Sequence, residues 1–542
     1  MVLPMLRNSL HLAVAMVTAS AAFAEKPLAD AARSYAEKLP AGCIVTAEWA
    51  GAETSYSVAG KAEPDGIPVE KRVFEIGSIS KVFTGLLLAG SVEEKKLRLD
   101  STLKELLGKG LTFADPKVGE ITLLELSTHT SGLPRLPANM GPDPDSAKDP
   151  YGDYDRKKME SFLSQVKLEG EPPYPASYSN YGVGLLGELL ADAYGISWDD
   201  LVKEKITAPL GMKDTMVIPG ESQKKRLAPP HKGKEPGHSW TFQAFAGAGA
   251  LRSTAEDLVI FGKALAAPEK TPIAGTIKGM LETRASYDEM GTEIGLGIII
   301  GKLDGEREYI HSGGTGGYRS VLQVIPAKRS VRVVLINNDA IPAEAVLMAT
   351  RENEKPVETP EMNLAASELD AFTGVYEMGP NARFTVLRRD EHLVVRLTGQ
   401  AFLPVAAMGK DRFRYKDVAA ELQFARDGEA VGSVTLFQNG RELLAKRSDE
   451  KPAALIFTTE EELKPYLGEY ELAPGKIFKV TQAAGTLHAE LTGQPAMPVF
   501  QSKPGYFEYD VVKAALEFQK DKDGKVSGLI LHQNGSHPAR KR

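Results

Sequence analysis

The sequence predicts an α+β protein, with one antiparallel sheet that has helices packed on it, followed by two copies of a small all-β unit. Three observations carry this. Strand-like text stands at both ends of residues 25–352, with helical text between them. From residue 368 onward the chain repeats itself at a constant offset of 94. The repeated text consists of short alternating runs broken by Gly, Asn and Asp, not of long helical periods. A chain of 542 residues predicts two to four domains at roughly 100–200 residues each.

Taken in order, residues 1–24 read as a secretory signal peptide. Arg7 supplies a positive n-region, Leu10 to Ala21 is apolar, and Ala22-Phe23-Ala24 is a cleavage site that leaves Glu25 as the first mature residue. The expected location is therefore periplasmic or extracellular. No later run approaches 18 apolar residues, so no membrane span is expected after cleavage.

"IVTAEWAGAETSYSVAG", Ile44 to Gly60, is rich in β-formers and ends on glycine. After Ser78, the residues Val82, Phe83, Leu86, Leu87 and Val92 fall on one helical face. Leu133 to Pro150 and Pro219 to Ser239 are dense in Pro, Gly and polar residues, so they read as long loops and candidate rims. At "RSTAEDLVIFGKAL", Ser253 and Glu256 form a capping box before an apolar run, a structural feature. "VRVVLINN", Val331 to Asn338, is strand-like, and "AIPAEAVLMATREN" suits a closing helix.

The tail holds two units, 368–447 and 462–542, joined by linkers at 351–367 and 448–461. "ELDAFTGVYE" from Glu368 matches "ELKPYLGEYE" from Glu462. Pro404 matches Pro498, Phe413 matches Phe507, Tyr415 matches Tyr509 and Phe424 matches Phe518. Each unit suggests a small antiparallel sheet or barrel.

Composition excludes several functions. The net charge of −7 is spread along the chain without a basic stripe, which argues against a nucleic-acid partner. Cys43 is the only cysteine, so no intramolecular disulfide is possible. The nine histidines include no H-x-x-x-H pair, so no metal site is expected and no cofactor is implied. His488 and His532 stand alone in the tail and read as structural.

Three constellations carry chemistry. In "FEIGSISKVFTG", Ser78 and Lys81 are one helical turn apart, behind a glycine that permits a tight turn. Ser-x-x-Lys occurs five times in the chain, so spacing alone does not select this pair. At a helix start, however, backbone N–H groups and the helix dipole favour an oxyanion. A lysine in a poorly hydrated cleft would have a lowered pKa and could accept the serine proton. In "PASYSNYGVGLLG", Tyr178 precedes Asn180 by two residues. Tyr178 could serve as general base and then acid, and Asn180 could donate to a substrate carbonyl or to Lys81. In "YIHSGGTGGYRS", the run His311-Ser312-Gly313-Gly314 sits in strand-like text. Its glycines would admit a substrate backbone along an edge, and His311 could steady a substrate carboxylate or the tyrosine proton.

Ser-x-x-Lys, Tyr-x-Asn and (Lys/His)-x-Gly, in that order, resemble the serine β-lactamase and penicillin-binding superfamily. "FEIGSISKVFTG", "LLELSTHTSGLP", "PLGMKDT" and "GAGALRSTAEDL" are similar to its class C β-lactamase-like branch. That branch also holds D-Ala-D-Ala carboxypeptidases, D-aminopeptidases and family VIII esterases. The resemblance implies a β-lactamase-like domain over 25–352 and an acyl-enzyme mechanism on a small-molecule or peptide substrate. It implies Ser78 as nucleophile, Lys81 and Tyr178 as proton carriers, and Asn180, His311, Ser312, Gly313 and Gly314 as substrate-binding residues. The N–H groups of Ser78 and Gly314 would form the oxyanion hole. Class C β-lactamases begin the third motif with Lys; His311 departs from that and leans toward the peptidase and esterase relatives. The tail units are similar to lipocalin-like barrels appended to such proteins, where they restrict the cleft or mediate self-association. The competing reading is a non-hydrolytic penicillin- or peptidoglycan-binding protein that keeps the fold.

Overall fold

The structure, a computed structural model, describes residues 26–140, 148–288, 291–351, 361–379, 382–416, 418, 420–438, 440–483, 485–492 and 496–542. The leader expected at 1–24 lies outside these residues, as do 141–147 of the first loop and 352–360 of the first linker.

The first part is built on one eight-stranded antiparallel sheet. Its strands are β1 (Cys43–Ala50), β2 (Glu53–Gly60), β3 (Ala285–Ser286), β4 (Glu293–Ile294), β5 (Ile299–Leu303), β6 (Glu306–Gly314), β7 (Arg319–Ile325) and β8 (Ser330–Ile336). Their order is β2-β1-β8-β7-β6-β5-β4-β3, so the first hairpin forms one edge of the sheet and the last strand pairs with its β1. The central strands are covered on both faces, which explains their nearly unbroken apolar text. Val331, Val333 and Leu335 of β8 enter the main core, while Val334 and Ile336 face a second cluster. That second cluster contains Leu28 and Ala32 of α1 (Leu28–Ala36) and Val346 of the closing helix Ala343–Met348. The alternation is the period of two expected of a strand between two layers.

The main core holds α2 (Ser80–Glu93), α3 (Leu123–Thr128), α4 (Asn180–Tyr194) and α5 (Ala255–Ala266). Helix α2 differs from the amphipathic helix its periodicity predicts. Every residue from Ser80 to Ala89 is buried, on all sides. The small and hydroxylated residues make this possible. A Cβ on Gly85 would lie 1.8 Å from the Leu296 carbonyl oxygen, and Thr84 satisfies its hydroxyl on Gly247 O at 2.7 Å. The cap of α5 also falls one residue later than predicted. Thr254, not Ser253, accepts from Asp257 N–H, and Ser253 instead hydrogen-bonds Thr215 Oγ1.

The loop at 219–239 carries a short hairpin, His231–Lys232 with Glu235–Pro236. It is tied to the end of β8 through Asn337 and Asn338, which donate to Pro229 O and Gly233 O.

The tail forms two closed barrels, each of eight antiparallel strands, over Gly374–Arg447 and Gly468–Lys541. Equivalent residues do equivalent work. The Tyr376 hydroxyl donates to Phe372 O (2.7 Å), and the Tyr470 hydroxyl donates to Tyr466 O (2.6 Å). Phe372, Phe413 and Phe424 pack as one aromatic triad, matched by Tyr466, Phe507 and Phe518.

Candidate active site

Ser78 lies in a one-turn 3₁₀ segment, Gly77–Ile79, that runs directly into α2. Gly77 has φ +50°, and a Cβ there would strike the backbone of Gly314 at 2.6 Å. Gly313 is equally constrained, since its Cβ would lie 2.0 Å from Ile76 O. Two glycines on one side and one on the other thus let β6 press backbone to backbone against the serine turn. That contact sets Gly314 beside the turn that carries Ser78. β5 pairs with β6 only as far as Ile310, so residues 311–314 keep an open edge on that side.

Lys81 is fully buried one turn along α2, with Nζ 3.0 Å from Ser78 Oγ and 2.6 Å from Ala248 O. The same nitrogen is 4.8 Å from the Tyr178 ring centre. Burial, helped by the positive charge of Arg135, holds the Lys81 amine well below its usual range. A neutral amine can donate to Ala248 O and still turn its lone pair toward the Ser78 hydroxyl. The Ala248 carbonyl is placed by close packing: Gly187 of α4 meets Gly247, and Ser80 Oγ accepts from Leu251 N–H.

Tyr178 is held by a segment that the sequence analysis quoted without assigning roles. His129 ends α3 in a left-handed conformation (φ 62°). Its carbonyl accepts from Ser177 N–H at 2.8 Å and its Nδ1 accepts from Ser179 N–H at 3.2 Å. Its ring packs against Tyr178 at a tilt of 38°, with centroids 4.6 Å apart. Burial lowers the His129 pKa well below its usual value and keeps the ring neutral, as an accepting Nδ1 requires. Burial pushes the Tyr178 phenol up, and its interaction with the Ser78 side chain partly opposes this. The Arg135 guanidinium lies 4.9 Å over the same ring. The positive φ at a histidine was the one local signal that could not be read from the text.

The remaining expected residues are close by. Asn180 opens α4, and Ser179 caps that helix by accepting from Gly182 N–H. Asn180 Nδ2 donates to the Tyr151 hydroxyl (3.1 Å) rather than to Lys81, one of the two partners expected for it. Its Oδ1 is buried with no hydrogen-bond partner among the described residues. His311 is buried, 6.5 Å from the Tyr178 ring, with Nδ1 2.7 Å from Ser312 O. Burial first, then Lys81, lowers its pKa to about 4. At neutral pH it therefore brings a hydrogen-bonding ring to the cleft and no charge.

An aromatic wall that the sequence analysis missed flanks the serine. Tyr151 stacks on Phe242 (5.1 Å, 14°) and meets Trp240 edge-on (5.5 Å). Phe242 packs over Gly249, next to Gly77. A buried Arg252–Glu75 ion pair (2.8 Å) fixes this wall: Glu75 accepts from Trp240 N–H and Arg252 donates to Trp240 O.

A serine, a buried lysine and a tyrosine on this sheet-and-helix frame define a class, and comparison with known proteins agrees with it. The Beta-lactamase family model matches residues 44–355, more than half of the chain, and the chain belongs to that family. It is 29% identical to penicillin-binding protein 4 of Amycolatopsis lactamdurans, over 49% of this chain and 72% of that protein. It is 27% identical to the D-alanyl-D-alanine-carboxypeptidase/endopeptidase AmpH of Escherichia coli K12, over 50% of this chain and 72% of that one. The fold matches the crystal structure of a β-lactamase/D-alanine carboxypeptidase from Yersinia pestis, with TM-score 0.51 and 23% identity, over 59% of this chain and 96% of that one.

Proposed function

We propose that the protein is an exported serine hydrolase that works through an acyl-enzyme on an amide or ester carbonyl. The observation that carries this reading is the fully buried Lys81, its nitrogen 3.0 Å from Ser78 Oγ and under the Tyr178 ring. The Ser78 hydroxyl passes its proton to the Lys81–Tyr178 pair as Oγ bonds to the carbonyl carbon. The N–H groups of Ser78 and Gly314 receive the oxyanion. Tyr178 returns the proton to the leaving amine or alcohol, and water then hydrolyses the ester at Ser78. Asn180, His311, Ser312 and Gly313 line the substrate's path. The substrate is a β-lactam, a D-amino-acid peptide or an ester. The uncharged His311, where class C β-lactamases carry Lys, favours the peptidase and esterase classes. Export rests on the leader expected at 1–24, and the proposed division is 25–352, 368–447 and 462–542.

The test is covalent labelling by a fluorescent penicillin and a fluorophosphonate. Labelling that Ser78→Ala abolishes supports the reading, whereas failure of both reagents to label the wild type overturns it. Ratios of kcat/KM on nitrocefin, a D-alanyl amide, a D-Ala-D-Ala peptide and p-nitrophenyl butyrate then separate the substrate classes.

A further inference from the structure

We propose that the second barrel, where it meets the first, holds a binding site for a small apolar, ring-containing molecule that bears one N–H or O–H donor. A cavity of about 330 Å³ lies at this junction. Phe402 of the first barrel, Phe457 of the linker and Phe500, Leu487 and Val499 of the second barrel supply its apolar lining, and Arg389 and His392 also line it. That size and lining suit a single small molecule.

Among the described residues of the wall, one buried side-chain atom lacks a hydrogen-bond partner. Gln501 is 7% exposed, and its Oε1 is buried without a hydrogen bond among the described residues. A buried, unpaired amide oxygen is destabilising. The internal repeat shows that the barrel does not require it. Gln501 pairs with Phe507 across the strands, and at the equivalent place in the first barrel Ala407 pairs with Phe413. Both side chains are buried, and the first barrel closes around alanine. Position 406 changes in the same way: Ala406 corresponds to Phe500, whose ring joins Phe402 edge-on at 5.5 Å. The second copy thus carries an acceptor and an aromatic ring at adjacent positions that line the cavity, where the first copy has alanine at both. A donor-bearing ring compound satisfies the acceptor and fills that space at once.

Two fluorescent probes test this on the full chain: N-phenyl-1-naphthylamine, which has one N–H, and its N-methyl analogue, which has none. Saturable one-to-one binding is expected, with the N–H probe about tenfold tighter. Gln501→Leu should erase that preference without lowering the melting temperature. Leu487→Trp, or Ile456→Trp at the exposed rim if the former does not fold, should weaken both probes. Absence of saturable binding to the wild type, equal affinity for the two probes, or binding that the blocking variants leave unchanged would each overturn the proposal. Equal affinity is what a site holding only water against Gln501 would give.

Discussion

Lys81 and His311 are both buried beside Tyr178, and that burial lowers both of their pKa values. The stability consequence has a definite sign. The folded pKa of His311 is depressed to about 4, so the folded protein resists a proton that the unfolded chain accepts. This contribution is complete above pH 6.5 and is lost as the pH falls toward 4, by about 3 kcal/mol in all. Urea denaturation at pH 7 and pH 4.5 should show the loss, and His311→Gln should flatten the profile. Arg135 supplies what His311 lacks. It is exposed, stacks on Tyr178 and makes no ion pair among the described residues. Arg135→Gln should lower kcat/KM about tenfold for substrates with a carboxylate near the scissile bond, through loss of a charge-assisted contact. It should change kcat/KM for a neutral ester less than twofold. An equal loss on both substrates would remove Arg135 from selectivity.

At the scale of elements, the two backbone contacts around Ser78 are the most sensitive points. Gly313→Ala places a methyl 2.0 Å from Ile76 O, so β6 must move away from the serine turn. Gly314→Ala meets only the flexible end of Arg319 at 3.0 Å. The first variant is expected to lose most turnover and about 1–3 kcal/mol of stability, and the second to stay folded. Thermal melts with parallel kinetics check both. These contacts also show what the text could and could not reveal. That Ser78, Lys81, Tyr178 and His311 would come together was legible in their order and spacing along the chain, and the tail was legible because it is written twice. The wall of Tyr151, Trp240 and Phe242 was not, because Tyr151 comes from one loop and Trp240 and Phe242 from another, and the rings meet only in the fold. His129 was read only as part of a likeness, since its role depends on a backbone angle. Helix α2 was misjudged as one-sided because hydroxyl groups satisfied on its own or neighbouring carbonyls look polar in text and are buried in the fold.

Across the whole molecule, the first barrel is fastened to the sheet by its last hairpin. Arg441 pairs with Glu308 at 2.9 Å, and Gly440 O accepts from Asp304 N–H at 2.6 Å. The barrels are joined by Arg396 and Asp510 (3.0 Å), with the Arg396 guanidinium 4.1 Å from the Phe500 ring. Glu308 is fully buried and shares its carboxylate with Gln323 (2.6 Å). Arg441→Ala leaves that charge without its cation and should cost about 1–3 kcal/mol, read as a lower melting temperature. Adding Glu308→Gln should recover part of the loss.

Glu308 and Gly314 belong to one nine-residue strand. One end is clamped by the appended barrel and the other leans on the turn that bears Ser78, so the strand behaves as a beam supported at both ends. Loosening the far support should tilt the near one, and the barrel then acts as a brace for the proposed oxyanion site. Arg441→Ala should accordingly slow acylation even at temperatures where every molecule is still folded.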